Sequence, residues 1–341
     1  MFCFIACAVP IRHNRAMSII VDLDTLNEAQ REAVTHAGGP LLIVAGAGTG
    51  KTTVLTKRYA HLLANGLTTD HILALTFTEK ASTEMEDRIL GLLPVGTYDF
   101  WISTFDGFCE RILEAHGLEI GLPNDPRILT PSDAWLMLRR RLHELPLHFY
   151  KPLGNPTKFL RAILQHISRA KDEGVTWQDY AAYVQRVEER PDDVGGMDEV
   201  LRLKELARVY EAYQKMMWDE GAIDFGDLIL ETLRLLRERP AILKKYQAQF
   251  QEVMVDEFQD TNGAQYDLIK LLVGERRHLT VVGDDDQAIY KFRGASLANI
   301  MQFREDYSEA KTVALIQNYR SRKEILDIAY RSIEHNNPHR L

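Results

Sequence analysis

Residues 41–52, LLIVAGAGTGKT, decide the fold. The first five are a continuous apolar run, too short for a helix, which is how a strand buried on both faces reads. Glycines follow at once, and from Lys51 a helical pattern continues to residue 64. Strand, glycine loop and helix in this order are the context of a phosphate-binding loop. Glycines let backbone N–H groups turn inward around phosphates, Lys51 reaches the β- and γ-phosphates, and the Thr52 hydroxyl holds Mg2+. The loop comprises Ala45, Gly46, Ala47, Gly48, Thr49, Gly50, Lys51 and Thr52, with Thr53 next on the helix. Ala45 takes the position that glycine holds in the usual G-x-x-x-x-G-K-[ST] pattern.

Outward from this loop lie further short apolar runs at 72–76, 253–255 and 279–282, the last two ending in acidic clusters. Strands alternating with helices predict a parallel sheet flanked by helices, with ligands beyond the carboxyl ends of the strands. The middle differs. Residues 135–145, 158–171 and 198–219 carry helical patterns, and 191–196 (PDDVGG) reads as a loop. An all-helical insert within an α/β domain is expected.

The polar ends of the strands carry the chemistry. Asp256 and Glu257 follow the run 253–255. Adjacent residues at an extended strand end point to different sides, so Asp256 can serve Mg2+ and Glu257 the attacking water. An acidic pair alone is more often a loop start; beside a phosphate loop it gains meaning. Gln287, after the run 279–282, is placed to bond a γ-phosphate or orient the water. Tyr290, Phe292 and Arg293 then interleave rings and cations, as suits stacked bases and held phosphates. Thr76, Phe77 and Thr78, and likewise Thr104 and Phe105, form hydroxyl-and-aromatic segments after strands. Such groups bind phosphates without sequence preference, although helix N-caps share the pattern. Arg320 in QNYRS (317–321) resembles an arginine finger aimed at a γ-phosphate.

The chain has 341 residues with 45% hydrophobic and 26% charged, which excludes wholesale disorder. Its net charge of −8 excludes a histone-like basic binder but not a locally basic groove. Three cysteines make no disulfide framework and point to a reducing, cytoplasmic setting. No apolar run reaches the ~18 residues of a membrane span. Arg12 and Arg15 follow the apolar start rather than preceding it, the reverse of a secretory signal, so residues 1–16 are expected to be a leader without a structural role.

Taken in order, these blocks resemble those of the superfamily 1A helicases, the UvrD/Rep/PcrA family. Residues 26–30 (LNEAQ) resemble its adenine-reading Q motif, with Gln30 on the base. AGAGTGKT (45–52) resembles motif I, TFTEKAS (76–82) Ia, STFDGFC (103–109) Ib, VDEFQDTN (255–262) II and VVGDDDQAIYKFRGA (281–295) III. QNYRS resembles motif IV, with Tyr319 on the adenine and Arg320 on the γ-phosphate. Gln259 and Asp260 fall at the family's coupling positions, and DFGDL (224–228) resembles a signature joining a helical insert back to the sheet. Four positions depart from the family's habit: Phe292 for Trp, Asp106 for His, Gly226 for Asp and Thr53 for Arg.

The resemblance implies a RecA-like domain 1A with an inserted helical subdomain 1B, ATP and Mg2+ as ligands, and single-stranded and duplex DNA as partners. It implies 3′→5′ movement driven by ATP hydrolysis. The expected division is a first sheet segment over 17–115, the insert over 116–220, a second sheet segment over 221–310, and the start of a second motor domain from 311. The family's later motifs would lie beyond Leu341, so the chain is expected to be an N-terminal half. Two other readings stay open: a module that binds ATP and DNA without turnover, and the front of a helicase–nuclease subunit.

Overall fold

The computed structural model describes residues 19, 21–123, 125–284 and 297–334. The expected leader, 1–16, therefore lies outside the described residues, as do Gln287, Tyr290, Phe292 and Arg293. The strands are β1 (Leu41–Ala45), β2 (Ile72–Thr76), β3 (Trp101–Thr104), β4 (Arg127–Leu129), β5 (Ala222–Asp224), β6 (Glu252–Val255), β7 (Leu279–Gly283) and β8 (Lys311–Leu315). Six of them form one sheet in the order β3-β2-β6-β7-β1-β8, every pairing parallel.

Side chains alternate across a strand, so each strand supplies both faces. Leu42, Leu73, Leu75, Val253 and Val281 meet helices Phe105–His116, Phe225–Glu238 and Gly263–Val273 on one side. Leu41, Ile43, Ile72, Met254 and Val282 meet helices Glu28–Thr35, Lys51–Ala64 and Glu79–Leu90 on the other. Behind the phosphate loop, fully buried Arg58 donates to the carbonyls of Ala33 (3.2 Å) and His36 (2.9 Å) and to Glu252 Oε1 (3.0 Å). One guanidinium thus satisfies the carbonyl end of helix Glu28–Thr35 and ties it to β6, where a buried charge without partners would be costly.

Residues 131–219, between β4 and β5, contain four helices: Pro131–Arg140, Leu160–Asp172, Trp177–Glu188 and Met197–Asp219. They surround a core of their own that includes Leu138, Ile163, Tyr210 and Met217. Two expectations need correction. The insert is not all-helical at its root, because β4 and β5 pair in parallel, Arg127 opposite Ala222. Three-residue strands show no period that a sequence reading can detect. Residue 311 does not open a separate unit either: β8 extends the main sheet, with Leu41 opposite Lys311 and Ala45 opposite Leu315. As an edge strand it buries only Val313 and Leu315, so its sequence lacks the apolar run of the central strands.

The insert is tied to the sheet domain by a buried ionic cluster. Lys171 Nζ lies 2.8 Å from Asp224 Oδ2 and 2.7 Å from Asp227 Oδ1. Tyr213 donates to the same Asp224 oxygen (2.8 Å), and Gln214 to Asp227 Oδ1 (3.1 Å). Burial would lower the Lys171 ammonium, but the two carboxylates outweigh it and its pKa ends above the usual range. Gly226 has a local reason here: a Cβ on it would lie 2.8 Å from Cβ and Cδ of Lys171.

Candidate functional site

The phosphate loop leaves β1 and turns twice through left-handed backbone, at Gly48 (φ +77°) and Gly50 (φ +94°). Both positions are also crowded. A Cβ on Gly48 would meet Arg320 Cβ at 2.6 Å, and one on Gly50 would meet Gln30 Nε2 at 2.8 Å. Thr49 Oγ1 closes the turn by donating to the Gly46 carbonyl (2.8 Å). Helix Lys51–Ala64 starts immediately, so its unpaired N–H groups and positive dipole end lie at the loop. Thr52 and Thr53 occupy the first turn, Thr53 exposed.

Opposite the loop, β6 ends in the acidic pair. Glu257 has a positive φ (+48°), a costly conformation for a side-chain-bearing residue and one found at functional sites. Its Oε2 accepts from Lys51 Nζ at 2.8 Å and from Gln259 Nε2 at 2.8 Å. Gln259 Oε1 in turn accepts from the Asp284 N–H at the end of β7 (3.0 Å). One buried amide therefore links Glu257 to the strand that leads into residues 285–296. Asp256 is buried, and burial, then the neighbouring Glu257 charge, pushes its carboxyl up to about 6. A cation beside it would reverse that penalty, so the position suits Mg2+. Among the described residues no cluster of three or more His, Cys, Asp or Glu side chains could hold a metal. A divalent ion here would depend on Thr52, Asp256 and the phosphates of its substrate, the usual pattern for Mg2+ at nucleotides.

The segment 317–321 docks on the rim of this loop. Asn318 Nδ2 donates to the Ala47 carbonyl (2.5 Å) and the Tyr319 N–H to the Gly48 carbonyl (2.8 Å). Asn318 Oδ1 accepts from the N–H groups of Arg320 and Ser321, both at 2.8 Å, which fixes the turn. Tyr319 and Arg320 are exposed there. The Tyr319 hydroxyl accepts from Asn27 Nδ2 (2.9 Å), closing the ring of contacts with the N-terminal helix. Gln30, expected to face a base, is buried and engaged with the loop: its Nε2 donates to the Thr49 carbonyl (3.0 Å) and its Oε1 accepts from the Asn27 N–H.

The residues expected to touch nucleic acid divide. Phe77 lines a groove of about 1050 Å3 between the helical insert and the sheet domain. Thr78 is exposed and caps helix Glu79–Leu90 through the Ala81 N–H. The other three have structural partners of their own. Thr76 is fully buried and donates to the Thr78 carbonyl. Thr104 caps helix Phe105–His116 and donates to Glu79 Oε1 (2.7 Å), while Phe105 is in the core. Phe225, which the sequence reading did not single out as a contact, is 46% exposed on the same groove. The sequence carried no signal that separates it from a core aromatic at the same kind of helix start.

Asp106 also lines the groove. Burial, then Glu79 and Glu110, push its carboxyl up to about 6. The fold therefore binds this proton more tightly than the unfolded chain, and stability falls as pH rises from about 4 to about 6. We expect Asp106→Asn to raise stability by about 1–2 kcal/mol at pH 8, discounted for partial exposure, with the gain fading below pH 6. Denaturant melts at pH 4 and pH 8 check this; a gain of equal size at both would contradict it.

A six-stranded parallel sheet with a glycine loop after β1 and an acidic pair after β6 defines a RecA-like P-loop domain. The chain belongs to the UvrD/REP helicase family, whose N-terminal domain matches residues 26–308. It is 42% identical over 316 residues to the ATP-dependent DNA helicase PcrA of Bacillus subtilis, covering 92% of this chain and 40% of that protein. It is 41% identical to the ATP-dependent DNA helicase UvrD1 of Mycobacterium tuberculosis, again over 92% of this chain and 40% of the relative. To DNA helicase II of Haemophilus influenzae it is 39% identical, over 94% and 42%. The chain thus spans about 40% of the length of the curated relatives it matches.

Proposed function

We propose that this chain is the nucleotide-binding N-terminal half of a DNA helicase that hydrolyses ATP to move along single-stranded DNA, 3′→5′ as its family implies. The observation that carries the reading is the meeting of Lys51 and Glu257 at 2.8 Å beneath the docked segment 317–321. Phosphoryl transfer to water needs positioning and charge neutralisation more than covalent chemistry. Lys51 and Arg320 supply positive charge, and Glu257 takes the proton of the attacking water. Thr52 and Asp256 hold Mg2+, which when bound neutralises charge on the β- and γ-phosphates. Gln30 and Tyr319 flank the adenine side.

Gln259 offers a route by which the state of Glu257 reaches Asp284, and from there Gln287 and the stacking residues Tyr290, Phe292 and Arg293. The segments 76–78 and 104–105 meet the strand, Phe77 from within the groove, with Phe225 added. Phe292→Ala is expected to weaken single-strand binding by about 1–3 kcal/mol, the stacking range, as read by fluorescence anisotropy. An unchanged dissociation constant would remove Phe292 from the contact. The other partner is a second motor domain that completes the nucleotide clamp, and the setting is cytoplasmic DNA repair or replication. No helix among the described residues is long and apolar enough to cross a membrane.

The test is ATP hydrolysis by this 341-residue chain with and without single-stranded DNA. DNA-stimulated turnover supports a working site in this half. ATP binding without turnover favours a binding module that needs its second motor. Failure to bind ATP overturns the proposal.

A further inference from the structure

We propose that the helical insert carries a single-strand contact of its own, in which Trp135 stacks on a base while Arg161 and Arg169 hold the flanking phosphates. The inference rests on the DNA-binding reading above and adds a second wall to it.

Trp135, Arg161 and Arg169 line the insert side of the 1050 Å3 groove, facing the domain that presents Phe77 and Phe225. Arg161, Gln165 and Arg169 are spaced four residues apart on helix Leu160–Asp172 and share one face of it, all lining the groove. Eight residues at the helical rise span about 12 Å, the length of roughly three nucleotides of stacked strand. The Trp135 ring is half-buried, with the Arg139 guanidinium 5.4 Å and the Arg161 guanidinium 5.9 Å from its centroid. A ring with cations nearby offers a base a π surface and its phosphates a charge.

The charge is available. Among the described residues no ion pair is found for Arg139, Arg161 or Arg169, whereas Arg141 nearby is held by Glu144 and Asp219. Four aspartates line the groove as well: Asp172 accepts from Asn262, Asp224 is paired with Lys171, and Asp106 and Asp260 lie on the side of the sheet domain, across from Arg161 and Arg169. Residues 139–171 carry eight Lys and Arg against one Glu, in a chain whose net charge is −8. Of that basic stretch Arg161 and Arg169 line the groove without an ion pair among the described residues, and they suit the phosphates of a strand, while the rings of Phe77, Trp135 and Phe225 suit unpaired bases rather than a duplex.

The experiment is binding of a labelled oligodeoxythymidine to the whole chain, measured by anisotropy across a salt series, with ATP affinity as the control. Trp135→Ala is expected to weaken binding about tenfold, with Trp135→Phe restoring most of it. Arg161→Gln with Arg169→Gln, both exposed, is expected to reduce the slope of log K against log salt by about 1.4. ATP affinity is expected to stay unchanged in all of them. The proposal is overturned if the Trp135→Ala and double-arginine variants bind within twofold of the parent while Phe225→Ala loses binding; the DNA reading then survives without this wall. Loss confined to duplex binding overturns it as well. A parent chain that binds ATP but no oligonucleotide overturns both readings at once.

Discussion

Exchanging Glu257 for glutamine is expected to lower ATP turnover about 10^2- to 10^4-fold, the usual range for removing a positioned general base. Its Oε2 already accepts from Lys51 and Gln259, both at 2.8 Å, and a glutamine carbonyl can accept the same bonds. Geometry is therefore retained while charge and basicity are lost. The effect on nucleotide affinity should be opposite in sign. Phosphate oxygens that come to Lys51 compete with the Glu257 carboxylate, and a neutral amide competes less well. The variant should bind ATP at least as tightly as the parent. Single-turnover hydrolysis beside nucleotide titration separates the two effects. Turnover within a few-fold of the parent would remove Glu257 from the role of base; lost affinity would show a structural role instead.

Lys171→Met is expected to cost about 3–5 kcal/mol of stability, because breaking a buried pair leaves uncompensated charge. Two carboxylates share this one ammonium. Burial alone would raise the Asp224 carboxyl, but Lys171, with the Tyr213 hydroxyl, brings it below the usual range. Burial and then the Asp224 charge push Asp227 up to about 6. Without Lys171 both carboxyls would rise, and the variant would gain stability on acidification as each binds a proton in the folded state. Adding Asp227→Asn to Lys171→Met should recover part of the loss. A non-additive double-mutant cycle by denaturant melts is the signature. A loss below about 1 kcal/mol would mean that water reaches the cluster and screens it.

The consequence extends beyond stability. Lys171 lies on the insert, and Asp224 and Asp227 lie where the chain returns to the sheet domain. Lys171 and Asp224 themselves line the groove that holds Phe77, Phe225 and Trp135. Weakening it should therefore loosen single-strand binding even where the fold survives.

Much of the site was legible from local pattern. The run 41–45, the glycines and Lys51 announce strand, loop and helix, because a phosphate loop is specified by neighbours in sequence. Asp256 and Glu257 follow an apolar run for the same reason. The hydroxyl-and-aromatic segments were legible only by type. Thr78 and Thr104 sit at helix starts, where a cap and a phosphate contact call for the same residues, and only burial separates the two. Phe105 and Phe225 each begin a helix after a capping residue, yet one is in the core and the other on the groove. No local pattern distinguishes them.

The sequence by itself determined the parallel α/β class, the phosphate loop, the acidic pair and the presence of a helical insert. Each is written in hydrophobic period, turn chemistry or short spacing, which act between residues close along the chain. Only the tertiary structure decided that Glu257 meets Lys51 across the width of β7, that β8 joins the first sheet, and that one lysine bridges the insert to its root. Those contacts join residues up to some 270 positions apart, as Ala47 and Asn318 show. They follow from strand order and from the burial of charge, and neither is encoded in any single stretch of the chain.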